Sequence, residues 1–137
     1  MSNCTCNQNN ALIFACSGAA DVGALSDRAA RLLSQEGHGK MFCSVGIGGR
    51  VNEIVESTRA ASTIMAIDGC QKDCMKNSLE NAGFDKYTHV RITDHNFTKG
   101  NTVVDDASVT KVKDIVLNLL KKPSQGRKLI AGVRREA

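Results

Sequence analysis

Tryptophan is absent from this 137-residue chain, tyrosine and proline occur once each, and aromatic residues reach only 4%. A surface that stacks on nucleic-acid bases sets aromatic side chains beside its cations. Here Phe14, Phe42, Phe84, Tyr87 and Phe97 all lie outside the basic C-terminal segment, so no nucleic-acid partner is expected. No stretch approaches the ~18 consecutive apolar residues of a membrane span, and no membrane association is expected either. No Lys or Arg precedes Arg28, and the apolar run Ala11–Ala15 is too short for the core of a secretory signal. The expected location is therefore the cytoplasm. The dinucleotide GxGxxG, the phosphate-binding P-loop and the CxxC redox pair are missing as well. So is the Arg that a cysteine phosphatase sets after its nucleophile: Val22 and Gly49 stand at the corresponding distance from Cys16 and Cys43.

What is there suits one ordinary globular domain. Apolar residues make up 42% and charged residues 23%, which excludes a disordered chain, a collagen or a coiled-coil rod. The net charge of +4 is uneven. Residues 1–110 carry 10 basic against 12 acidic side chains, whereas residues 111–137 carry 8 against 2. Residues 123–137 are accordingly read as a solvated basic tail, and the polar, Asn-rich residues 1–10 as a flexible N-terminal arm. The domain proper spans 11–122.

Within it, short apolar runs alternate with helical periodicity. Strands are expected at 11–16, 40–45, 62–67 and 87–93. Helices are expected near 20–36, over 51–58, from Asp68 to about Ala82, and up to Pro123. Gly46–Gly49 reads as a turn, and Asp68 with Gln71 resembles a capping box opening the third helix. Four strand–helix alternations predict an α/β, three-layer sandwich. Its sheet is four-stranded and mainly parallel, in the order 2-1-3-4, with helices on both faces.

Six cysteines are the compositional outlier. In a reducing compartment such a cluster points to metal or thiol chemistry rather than disulfides. Cys16, Cys43 and Cys70 fall at or just after the ends of successive strands, which share the carboxyl edge where open α/β sheets bind ligands. Cys74 follows Cys70 by four residues, which puts both sulfurs on one helix face, within reach of a single ion, if the helix begins at Asp68. Four thiolates around one ion make a structural zinc set, with helix N-termini, Lys72 and Arg50 placed to offset the charge. The alternative is a thiol-based redox or sulfur-transfer enzyme or carrier using Cys70 or Cys16, tuned by Lys72. Of the four, Cys43 has the strongest claim to be a plain small strand residue. His38 and His89 read as structural and His95 as a loop residue near the site edge. The pair Cys4 and Cys6 is a weak soft-metal motif. Nothing in the sequence identifies a protein partner or a small-molecule substrate.

Asp68-Gly69-Cys70, running on through Gln71-Lys72-Asp73 to Cys74, resembles the signature of the DGC-domain family. Cys16 in ACSGAADVG and Cys43 in CSVGIGG match the same pattern, and the resemblance covers roughly residues 11–121. It implies a small cytoplasmic α/β protein whose four cysteines hold zinc, with no assigned biochemical activity. Cys4 and Cys6 lie outside the matched region.

Overall fold

The computed structural model describes residues 10–121. Its centre is β1 (Ala11–Ala15), buried along its whole length and paired in parallel on both sides. On one side lies β2 (Lys40–Met41) and on the other β3 (Thr63–Asp68), with β4 (Thr88–Arg91) beyond β3. The order is β2-β1-β3-β4, all parallel, as the alternating pattern predicts.

Period-two alternation sorts the central strands into two cores. Ile13, Ala15, Met65 and Ile67 pack on one face against α1 (Asp21–Gln35) and α5 (Asp106–Lys121). Leu12, Phe14, Ile64 and Ala66 pack on the other against α2 (Ser44–Gly48), α3 (Asn52–Arg59) and α4 (Cys74–Asn81). Strands buried on both faces must be apolar at every position, which is why β1 and most of β3 read as continuous runs.

Three boundaries differ from the expectation, each for a visible reason. The second strand stops at Met41, because Cys43 leaves the ladder to cap α2: its sulfur accepts the Gly46 N–H at 3.3 Å. The glycine segment is thus a short helix rather than a turn, and Gly46 is small because Ile54 of α3 lies against it. The third helix does not begin at Asp68, which is the last β3 residue and pairs with Arg91. Asp73, at φ 51, sits in the left-handed region and blocks helix before Cys74. The Asp68–Gln71 capping box and the shared helix face of Cys70 and Cys74 are corrected accordingly. The fourth strand ends at Arg91, and Ile92–His95 forms a 3₁₀ turn. The arm at 1–9 with Cys4 and Cys6, and the basic tail, lie outside the described residues.

Candidate functional site

The cysteines fall after the ends of the strands and at the start of α4. Cys16 follows β1, and its N–H donates to the Ile67 carbonyl of β3 at 3.0 Å. Its sulfur contacts the buried Ser26 hydroxyl of α1 at 3.2 Å. Cys43 is held beside the end of β1 by its neighbour Ser44, whose hydroxyl donates to the Ala15 carbonyl at 2.6 Å. Cys70 lies in the turn after β3, and Cys74 is the first residue of α4. All four are free thiols; Cys16 and Cys70 are half-buried, Cys43 and Cys74 exposed.

Gly69 brings the Cys70 turn down onto α1. A Cβ there would stand 2.8 Å from the Val22 carbonyl carbon and 2.9 Å from the Gly23 nitrogen. Gly23 in turn abuts Gly18, with the Gly18 carbonyl oxygen 2.6 Å from where a Cβ would be. The turns after β1 and β3 and the first turn of α1 therefore meet backbone to backbone, and only glycine permits the approach.

The sulfurs share this edge without forming a closed cage. A zinc ion bonded to four sulfurs at ~2.3 Å sets them about 3.8 Å apart. Among the described residues, no three of these sulfurs lie within 4.8 Å of one another. The one group of three ligand atoms among the described residues that meets that spacing is Asp68, Asp73 and His89.

Those three groups are already engaged with protein partners. Asp68, only 1% exposed, accepts the Met75 N–H at 2.8 Å, the Lys76 N–H at 3.0 Å and a bond with His89 Nε2 at 2.9 Å. It caps α4 from the end of a strand, doing for the first-turn amides what no adjacent residue does. Asp73 receives both Arg91 Nη2 at 2.6 Å and Arg91 Nε at 2.9 Å, a two-point guanidinium clamp. His89 therefore has the structural role its strand position suggested. The third helix is capped by Asp68 after all, through residues seven and eight positions on.

The clamp has a pH signature. Burial pushes the Asp73 carboxyl up, but the hydrogen bonds and charge of Arg91 outweigh it and hold the group below the usual carboxylate range. A folded value below the unfolded one contributes stability above the ordinary carboxylate range, and that contribution disappears as the folded carboxyl protonates. Asp73→Asn, which tolerates the left-handed backbone, is expected to cost about 2 kcal/mol at neutral pH. Chemical denaturation at pH 7 and pH 3 measures this: the gap between parent and variant should narrow at the lower pH.

The cation touching Cys70 was not among those expected. Lys99, from the loop after β4, places Nζ 3.6 Å from Cys70 Sγ. That loop is tied to α1 by Asp21, whose carboxylate accepts the Gly100 and Thr102 N–H groups at 2.9 Å each. Those amide hydrogen bonds hold the Asp21 carboxyl below its ordinary range. Arg50 is exposed and left-handed at φ 58, and His95 is exposed on the 3₁₀ turn. No local pattern marks Lys99, 29 residues from Cys70; only folding supplies the contact.

Comparison with known proteins adds the following. The DGC-domain family model matches residues 12–116. The anaerobic and virulence modulator AnvM of Pseudomonas aeruginosa is 32% identical over 88 residues, 64% of this chain and 67% of that protein. No solved structure matches the chain.

Proposed function

The chain belongs to the DGC-domain family, and from that premise we propose that it is a thiol-based metal-binding protein. In this reading Cys16, Cys43, Cys70 and Cys74 hold one zinc ion at the carboxyl edge of the sheet. The observation that supports it is that three of four free thiols follow the ends of β1, β2 and β3 and the fourth opens α4. The donor chemistry fits: thiolates are soft ligands, and none of these sulfurs is spent in a disulfide. The Gly46 N–H already donates to the Cys43 sulfur, the kind of bond that offsets thiolate charge around a metal.

The cage assembles on binding. Cys43 and Cys74 are exposed, and one χ1 step at Cys74 moves its sulfur by about 3 Å. Because the ion draws the sulfurs together, binding releases protons and stabilises the fold. A bound zinc would act as a structural tie between the strand-end turns when all four sulfurs engage. With one withheld, it would be a Lewis acid open to a further ligand. A modulator among the relatives is compatible with either use.

The test is metal analysis of protein purified under reducing conditions. About one zinc per chain is expected, lost on Cys→Ser replacement at each of the four positions. Retention of a full complement by Cys43→Ser would instead mark a three-sulfur site, and metal-free parent protein that takes up no added zinc would refute the proposal.

A second reading has one observation in its favour: the Lys99 ammonium against Cys70 sulfur at the mouth of a cleft. It makes Cys70 a reactive thiol for redox or sulfur transfer, with Cys16 on the neighbouring strand. Metal-free protein in which iodoacetamide labels Cys70 well ahead of the more exposed Cys43 and Cys74 would favour it over the zinc cage.

A further inference from the structure

A cleft of about 440 Å³ opens beside Cys70, between the turn after β3 and the loop after β4. Lys72 and Lys99 line it, together with Thr93, Phe97 and Thr98. Neither lysine forms an ion pair among the described residues; Lys99 contacts only the Cys70 sulfur. The nearby acids are committed elsewhere: Asp73 and Asp94 to Arg91, and Asp21 to the Gly100 and Thr102 amides. Both ammonium groups are therefore left without a carboxylate partner among the described residues. Its wall also holds an unusual atom. Thr93 Oγ1 is buried with no hydrogen-bond partner, while the Thr93 N–H donates to the Gly69 carbonyl at 3.2 Å and fixes the residue beside the Cys70 turn. A buried hydroxyl left unpaired is costly, and such groups are commonly satisfied by a ligand or water.

We propose that this cleft binds a small oxyanion carried on an apolar body, the oxyanion between Lys72 and Lys99 and the apolar part against Phe97. Two ammonium groups supply the charge recognition, Thr93 a donor once its side chain turns to face the cleft, and the ring a surface for a flat or branched group. Asp21 is the positioning residue, since its two amide contacts set where the Lys99 loop stands. The site does not depend on the zinc reading, although Cys70 belongs to both.

The test is titration of the full-length protein with inorganic phosphate, phenyl phosphate and benzoate, followed by amide NMR shifts. Phosphate should bind in the millimolar range, and phenyl phosphate about tenfold more tightly. The shifts should centre on Gly69–Lys72, Thr93 and Phe97–Gly100. Comparing phenyl phosphate with benzoate tells a phosphate ester from a carboxylate. The double variant Lys72→Met, Lys99→Met is expected to weaken phosphate at least tenfold, and Phe97→Ala to erase the advantage of the phenyl group. Thr93→Val, which keeps the shape and removes the hydroxyl, is expected to cost about fivefold. Two results with these variants overturn the proposal, and a third comes from the chelator control. One is unchanged affinity in both the double-lysine and Thr93→Val variants. The other is an equal loss on Lys111→Met, an exposed lysine on α5, which would mean diffuse charge attraction. Repeating the titration with Cys70→Ser, and with chelator present, separates the two readings. Binding that persists there stands apart from zinc; binding that vanishes with chelator belongs to a metal and refutes the cleft site.

Discussion

Asp68→Ala is expected to destabilise the domain by about 4 kcal/mol, the largest effect of any single substitution considered. The carboxylate is 1% exposed and serves three partners at once. Removing it leaves two first-turn amides of α4 without an acceptor and strips His89 of its bond in a half-buried site. No neighbouring residue can take over, because the N-terminal flank of α4 carries no side-chain cap. A domain of this size has a total stability of roughly 5–15 kcal/mol, so the variant should sit near or past the edge of folding at 37 °C. Asp68→Asn separates shape from charge. It keeps one acceptor but turns an N–H₂ toward a backbone donor, and about half the loss is expected. Urea denaturation of the three proteins checks the order, and a full loss in both variants would mean that charge alone matters. Because the effect passes through α4, amide exchange over Met75–Leu79 should quicken before the sheet is affected.

Gly69→Ala is expected to cost about 3 kcal/mol, lowering the melting temperature by about 12 °C. The added methyl would meet backbone atoms of Val22 and Gly23 at 2.8–2.9 Å, and backbone cannot swing aside as a side-chain tip does. Gly18→Ala is the matched control. It lies in the same neighbourhood, yet nothing stands within 4 Å of its missing Cβ, so its cost should stay below about 1 kcal/mol. If both variants lose equally, glycine is needed for chain freedom rather than for close approach. The distinction bears on the site, because this contact seats the Cys70 turn against the start of α1. If the cysteines hold zinc as proposed, a partly folded Gly69→Ala protein should lose the metal together with its stability.

Much of this was legible in the chain. The run Ala11–Ala15 and the β-branched stretch ending in Ile67 are apolar at every position, which a strand covered on both faces requires. From their alternation with helical periodicity the parallel sheet and its order followed. The carboxyl-edge placement of Cys16, Cys43 and Cys70 followed from topology alone, because parallel strands put all their ends on one side. Less was legible where one residue does two jobs. Asp68 looked like the start of a helix because Asp is a common cap; it is a cap, but from the end of β3, across a turn that a sequence window does not span. Cys43 looked like a strand residue because Phe42 and Val45 flank it. Its sulfur accepts an amide instead and starts a helix, and Val45, 83% exposed, was never in a sheet.

Local pattern, by itself, determined the layers, the strand order and the strand ends after which the cysteines fall, because burial on two faces and strand polarity are written in residue spacing. Tertiary structure decided the rest: where each helix begins, that Gly69 is needed for close packing, and which cation meets Cys70. Those depend on contacts between residues tens of positions apart, whose energies exist only once the chain has folded.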